Sequence, residues 1–445
     1  MEEVKSKHTS FVVDAGDLTW KSTSLSEIRI EQQRTKAALQ FDVYASGGID
    51  AMVPGEADLA LGVEWLSAAA SKYELPYVAA NLRCKGWTLP PGRVVERDGV
   101  RVAFIGVVGP KNSGTCGASS TVPAVSAAVK ALGDADVHVL LSHQPTEDDG
   151  DLVRSVPEID VVVNGHGRGQ YSRPVALGQH AIQLAPGTRG KKLGVAEITL
   201  VPNGKGFEIV GAAAVLEQRA DELRDRRMRA QDRVRSARNE RARVRAEQRL
   251  SRLEKELSKA EAEIAASDGA EGRTQHVVSN HLWPLSTDVN DHPAVAKKVE
   301  AVKQTVETEA LSAQKPLPDT QGRPFVGDRP CLACHTEQHA QWKATPHAYA
   351  WSTLVREKRS QDLDCWSCHV TGAHHPKGPK TPGEVGVLRN VGCESCHGPG
   401  KEHLGAPSKD NIVRQPLVQT CENCHDGIKD EGRFDYEKYL RKVKH

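Results

Sequence analysis

Over the first two hundred residues, short apolar runs recur and stop on glycine, aspartate or histidine: "FVVDAGD", "RVAFIGVVG", "VHVLLSH", "DVVVNGH" and "AIQLAPG". Near-continuous runs of this length fit strands buried on both faces. Between them, "ADLALGVEWLSAAASKY" and "VPAVSAAVKALGD" place their apolar residues at helical spacing. The alternation predicts an α/β domain over residues 1–212. Polar residues at the strand ends stand where such folds keep their chemistry.

The pattern then changes. Residues 216–266 hold no Gly or Pro and are densely charged. Leu216, Ala220, Leu223, Ala230, Val234 and Ala237 keep heptad spacing, with Arg227 and Arg241 interrupting the seam. Leu250, Leu253, Leu257, Ala260 and Ile264 resume it in another phase, which predicts a stutter in a coiled coil or a turn into an antiparallel hairpin. The Arg-rich half reads as a solvated helical face rather than an anion-binding surface. With a further helix near 293–312, the span 213–312 is assigned as helical. A Pro-rich linker, 313–327, comes next. Residues 328–445 show few apolar runs and no sheet pattern, and so little apolar content makes a poor core by itself.

The cysteines supply what that core lacks. Of the 10 Cys, eight form four copies of one pattern: "CLACH", "CWSCH", "CESCH" and "CENCH". A Cys-x-x-Cys alone fits a redox disulfide, half a zinc site or a covalent haem. A His directly after every second Cys, with 18 His in 445 residues, arises by chance on the order of once in 10^5 to 10^6 trials. That is the attachment signal of c-type haem. Zinc ribbons need no His there, and thioredoxin-like motifs occur once. The expected thioether residues are Cys331, Cys334, Cys365, Cys368, Cys393, Cys396, Cys421 and Cys424. The expected proximal iron ligands are His335, His369, His397 and His425. Four haems would fill the missing apolar volume. Cys84 and Cys116 remain, and in an oxidising compartment an even remainder reads as one disulfide.

Charge narrows the function classes. A net charge of +1 argues against a general nucleic-acid binder or a membrane-surface protein. No run of 18 or more apolar residues predicts a transmembrane helix. The opening "MEEVKSKHTSFVVDAGD" has no apolar signal region. Because c-type haem is attached outside the bacterial cytoplasm, the expected location is periplasmic or extracellular, at the cell surface, with an upstream piece missing from this sequence.

The phrases "CLACHTEQHAQWKATPHAYAWSTL", "CWSCHVTG", "VGCESCHGPGKEH" and the last "CENCH" resemble the cytochrome c-554-type multihaem family over about 115 residues. Members carry closely packed haems, mostly with two axial His, and pass electrons between redox partner proteins. The resemblance implies His347 in "TPHAYA" as a distal ligand, and His403 in "GPGKEH" near a position that also supplies one. His374, His375 and His339 are further candidates by position, and His276, His281 or His292 could fold back. His445 is set aside as a chain end that frays. The ligand count then gives three low-spin irons, served by His347, His403 and one of His374 and His375, and one iron that is open or ligated from elsewhere.

"VVDAGDLTW" resembles the Gly-Asp strand end of periplasmic 5′-nucleotidases, a metallophosphoesterase fold, and puts Asp17 at the metal-bridging position. "GIDAMVPGEADLALG" matches a segment that in the family reads Gly-Asn-His-Glu. Here Gly55, Glu56 and Ala57 stand there, so the amide ligand and the catalytic His are absent. "LLSHQP" keeps His143 and "VVNGHGRG" keeps His166, but Arg168 replaces the second His. The family's Asp-x-His motif lies well upstream of Asp17, and this chain has 16 residues before it. Two-metal phosphoesterases need both ions, so the domain is expected to be a scaffold with a degenerate site, at most a vestigial one-metal site at Asp17, His143 and His166. No second metal cofactor is expected.

The leading expectation is therefore an electron-transfer protein, a degenerate nucleotidase-like domain fused through a helical segment to a tetrahaem cytochrome. The helical segment is a possible route to oligomers or assembly. The alternatives are a haem enzyme acting on nitrogen oxides, hydroxylamine or peroxide at an open iron, and an active metallophosphohydrolase.

Overall fold

The computed structural model describes residues 5–6, 8–20, 27–109, 115–166, 173–188, 190–202, 204–209, 240–265, 274–285, 289–312, 322–425 and 434–445, and isolated positions between 223 and 234. It divides into two compact units, Met1–Ser24 with Gln40–Asn290, and Leu25–Leu39 with Asp291–His445.

The first unit is built on a six-stranded sheet. Its order is Gly92–Arg97, Val100–Val108, Val137–His143, Val161–Asn164, Ala181–Leu184 and Val175–Leu177. The inner pairs are parallel and both outer pairs antiparallel. Val137–His143 is buried at every position, as expected of an apolar run covered on both faces. Helices Thr121–Leu132 and Thr146–Ser155 cover one face. Val125, Ala128, Val129, Leu152 and Val153 pack on Ile105, Leu140 and Val162.

A short parallel pair, Val13–Asp14 with Ala51–Met52, joins this sheet through single backbone bonds, Val78 N–H to the Met52 carbonyl (2.8 Å) and Ala80 N–H to the Gly106 carbonyl (2.7 Å). Gly106 is needed there: a Cβ would sit 2.1 Å from the Val78 carbonyl oxygen. Strands Leu82–Cys84 and Cys116–Ala118 pair in register, Cys84 opposite Cys116, and a disulfide joins them.

The expected boundary at residue 212 does not hold. His276–Pro284 is a strand, antiparallel to Lys192–Thr199 and parallel to Phe207–Ile209. A third sheet thus draws residues beyond 213 back into the first unit. In "HVVSNHLWP" apolar and polar residues do not alternate, so the strand carried no period-two signal inside a segment assigned as helical. Helices Glu240–Ala265 and Pro293–Ser312 are present. Leu223 and Ala230 pack with Leu253 and Leu257, so residues from both heptad phases share one apolar cluster. Much of the span between them, most of the Pro-rich linker and Arg168 lie outside the described residues.

Helix Glu27–Gly47 contributes to both units, since the division falls after Leu39. It stops at Gly47–Gly48, where Gly48 takes φ +67°, the left-handed conformation that glycine adopts most readily.

The second unit is a set of short helices. Its cluster of buried apolar residues is Leu354, Leu363, Trp366, Val370 and Val385, grouped around the second Cys-x-x-Cys-His.

Candidate functional site

Two groups of chemically capable side chains stand out, one in each unit. In the first unit the parallel strands end together. Asp17 follows Val13–Asp14, Glu56 opens a short helix after Ala51–Met52, His143 ends its strand, and His166 lies just past Val161–Asn164. This is the carboxyl edge, where α/β folds place their sites.

His143 is fully buried. Its Nδ1 lies 2.7 Å from the Ala15 carbonyl, to which it donates, so Nε2 faces the cluster. Glu56 Oε2 is 2.9 Å and Asp17 Oδ2 3.4 Å from that nitrogen, yet it makes no hydrogen bond of acceptable geometry. His166 Nε2 meets Glu56 Oε1 at 3.1 Å. Asp17, Glu56 and His143 each bring one ligand atom within 4.8 Å of the others.

Burial opposes a charge on His143, but the Asp17 and Glu56 carboxylates outweigh it and hold the imidazole up to about 10. Burial likewise favours neutral Glu56, and the neighbouring His143 and His166 imidazoles overcome it, pulling Glu56 well below the usual carboxylate range. The cluster is therefore arranged to hold a positive charge between carboxylates.

The sequence reading had Asp17, His143 and His166, and the structure brings all three together. It treated Glu56 only as a lost amide, whereas Glu56 touches both histidines. It also passed over Asp58, a fully buried carboxylate that accepts from Asp17 N, Gly55 N, Thr19 N and Thr19 Oγ1. Asp58 ties the two loops carrying Asp17 and Glu56. The signal was present in "GEAD", two acids one residue apart after a strand. Ala57, where the family has an imidazole, offers its backbone N–H to Asp17 Oδ1 at 2.8 Å.

In the second unit each Cys-x-x-Cys-His occupies a short helical turn, and its eight cysteines form no disulfide. The motifs lie against one another. Cys331 of the first is hydrogen-bonded to Cys393 of the third, which lowers the Cys331 thiol and raises that of Cys393. Cys424 Sγ lies 3.6 Å from the Ser367 carbonyl, so the second and fourth are neighbours. Burial pushes Cys365 and Cys396 up to about 11.

Histidines face each other in pairs. The ring centres are 6.4 Å apart for His335 and His403, 6.3 Å for His347 and His425, and 5.7 Å for His397 and His445. In each pair one member belongs to a motif and the other does not. His397 Nδ1 meets the Val413 carbonyl at 2.6 Å, and His403 Nδ1 meets that of Ser408 at 3.0 Å, which leaves Nε2 toward the partner ring. His369 Nδ1 meets the Ala350 carbonyl at 2.6 Å, but among the described residues no imidazole ring is recorded opposite it.

The other candidates are engaged elsewhere. His339 lies 3.5 Å from Asp328. His375 Nδ1 accepts from Lys377 N and its ring stands against Phe325, while His374 is exposed. His276 accepts from Val201 N in the first unit. Neither His374 nor His375 faces a motif histidine among the described ring contacts, whereas His445, two residues beyond helix Tyr436–Val443, faces His397. The N-terminus of that helix is capped by the Asp435 side chain.

Residues 330–398 match the family described as cytochrome c554 and c-prime. Over 182 residues the chain is 28% identical to the uncharacterized metallophosphoesterase YunD of Bacillus subtilis, covering 37% of this chain and 38% of that one. The calcineurin-like phosphoesterase YfkN of Bacillus subtilis aligns over 66% of this chain and 83% of its own, at 16% identity and TM-score 0.42. The sulfate thiohydrolase SoxB of Thermus thermophilus aligns over 44% and 37%, at 22% identity and TM-score 0.38. The N-terminal part is a metallophosphoesterase-like α/β sheet domain, and a mostly helical region with a cytochrome c554-like segment follows it. No helix among the described residues is long and apolar enough to cross a membrane.

Proposed function

We propose that the C-terminal region is a tetrahaem c-type cytochrome that relays electrons between redox partner proteins outside the cytoplasm. The observation that carries this reading is the set of facing imidazoles. An iron bound at about 2.0–2.1 Å by a nitrogen on each side separates two imidazole centres by roughly 6–6.5 Å. The pairs of His335 with His403 and His347 with His425 have that separation, at 6.4 and 6.3 Å. The pair of His397 with His445 is somewhat closer.

Haem, when bound, supplies one-electron chemistry at each motif. The chain's own residues do the rest. The eight motif cysteines anchor it through thioethers. The Val413, Ser408 and Ala350 carbonyls fix the tautomers of His397, His403 and His369, so that Nε2 carries the lone pair. The contacts of the first motif with the third and of the second with the fourth would hold neighbouring haems near one another. Trp366 and Leu363 exclude water around the second motif.

One site differs. Among the described residues no imidazole ring faces His369 in the way the other three pairs do, so a haem held there would have an open position. That observation favours a second reading, in which this haem binds a small nitrogen-oxide, hydroxylamine or peroxide ligand. Phosphohydrolysis is the less favoured reading, because Ala57 stands where the resembled family carries its catalytic imidazole.

The test is a pyridine haemochrome assay with intact mass and EPR on protein matured with haem-attachment machinery. The expected result is four haems per chain, three low-spin and one high-spin. A mass near that of the bare polypeptide overturns the cytochrome reading. Four low-spin signals overturn the open site.

A further inference from the structure

We propose that Asp17, Glu56, His143 and His166 hold one divalent first-row transition ion, with Glu56 as a carboxylate ligand and no second ion beside it. The inference concerns the first unit alone and does not depend on the haem reading.

A positive species is called for here. His143 donates Nδ1–H to the Ala15 carbonyl, so its buried Nε2 presents either a lone pair or a proton to two carboxylates. That nitrogen has no hydrogen-bond partner of acceptable geometry, although carboxylate oxygens stand 2.9 and 3.4 Å away. A buried imidazole pinned by a carbonyl on one side and aimed into carboxylates on the other is the arrangement of a metal ligand with its outer partner. Gly55 keeps the loops close enough, since a Cβ there would fall 2.1 Å from Asp17 Oδ1. The Asp17 and Glu56 side chains remain reachable from solvent, at 33% and 16% exposure.

The donors set both the number and the class of ion. Asp17, Glu56 and His143 are the one described set of three that converges, with His166 bound to Glu56 beside it. A neighbouring ion needs ligands of its own. The further carboxylates on this edge are taken up: Asp14 by Gly16 N (2.9 Å) and Tyr44 Oη (3.1 Å), and Asp58 by the Asp17, Gly55 and Thr19 backbone N–H groups and Thr19 Oγ1. Two imidazoles with two carboxylates favour zinc, manganese or iron(II) over magnesium or calcium, which prefer oxygen alone. Glu56 compensates for the missing amide ligand and adds a negative charge, which strengthens a site reduced to one ion.

The test is titration of the haem-loaded full chain with Zn2+, Mn2+ and Mg2+ by calorimetry, with EPR of the Mn2+ form. The expected result is one Zn2+ per chain, a six-line mononuclear Mn2+ spectrum and negligible Mg2+ binding. Glu56→Ala is expected to weaken Zn2+ by at least about 10- to 100-fold, the loss that even outer partners of metal sites carry, with haem content unchanged. His166→Ala, at a more exposed ring, gives the same answer where Glu56→Ala fails to fold. Two ions per chain, an exchange-coupled Mn2+ pair, no binding, or Zn2+ affinity unchanged in the soluble variants overturns the proposal.

Discussion

The ring of His445 faces that of His397 with 5.7 Å between centres and 51° between planes. The contact brings together two residues nearly fifty positions apart. Within its own segment, His445 is positioned by helix Tyr436–Val443 and by Gln341 Nε2, which donates to the Lys444 carbonyl at 2.8 Å. On the proposed reading His445 is the distal ligand to the third motif, and His445→Ala is expected to convert one low-spin haem to high spin without loss of covalent haem. The rise in high-spin EPR amplitude from the one-haem signal of the parent to a two-haem signal is the measurement. An unchanged spectrum removes His445 from the ligand set.

His347 gives a pH-dependent counterpart. Burial, with the neighbouring His425, holds its imidazole below the ordinary value. A depressed folded value means that the stabilisation from the neutral ring is present above the unfolded value and is lost as pH falls through the folded one. Acid release of this ligand is therefore expected only below the ordinary imidazole range. In a titration from about pH 8 down to about pH 4, the high-spin absorption band of that haem should rise late. In His347→Ala the band is expected at every pH. A rise centred at or above the ordinary imidazole value contradicts this placement.

These two histidines differ in what the sequence carries of them. His347 is singled out by the local phrase around it, and the structure sets its ring against that of His425. The contact of His445 with His397 is not written locally, because it joins two distant segments that no spacing rule connects. The central sheet was legible for the same local reason: strands buried on both faces write continuous apolar runs. The strand His276–Pro284 was not, since its partners lie about eighty residues earlier. Glu56 was visible but misread. Compared with a motif it counts as a lost ligand, and only the positions of His143 and His166 show what its carboxylate touches.

The Cys84–Cys116 disulfide closes a 32-residue separation across a strand pair. A loop of that size restricts the unfolded chain enough to contribute about 2–4 kcal/mol. Cys84→Ala with Cys116→Ala is expected to lower the stability of the first unit by that amount in urea, read by far-UV circular dichroism. The haem spectrum should stay unchanged at the denaturant concentrations where the first unit melts. A change below about 0.5 kcal/mol contradicts the entropic argument.

Lys36 supplies the last prediction. Its Nζ lies 2.5 Å from Asp362 Oδ1 and 2.7 Å from Asp364 Oδ2. Asp362 caps the helix Leu363–His369 by accepting from Asp364 N, and Cys365 follows directly. One cation from the helix Glu27–Gly47 thus offsets two carboxylates beside the second motif. Removing it leaves excess negative charge near the iron on His369, which favours the ferric over the ferrous state. The Lys side chain is 22% exposed, so solvent screens part of the effect, and a shift of roughly 20–60 mV is expected, where about 59 mV is a tenfold change for one electron. Lys36→Ala should therefore lower the midpoint potential of the high-spin haem in a spectroelectrochemical titration, leaving the low-spin potentials within error. Lys36→Arg should restore most of it, because the charge is kept. An equal fall in every haem potential would point to loosened packing of the whole unit instead. A rise in the high-spin potential would reverse the sign of the electrostatic argument.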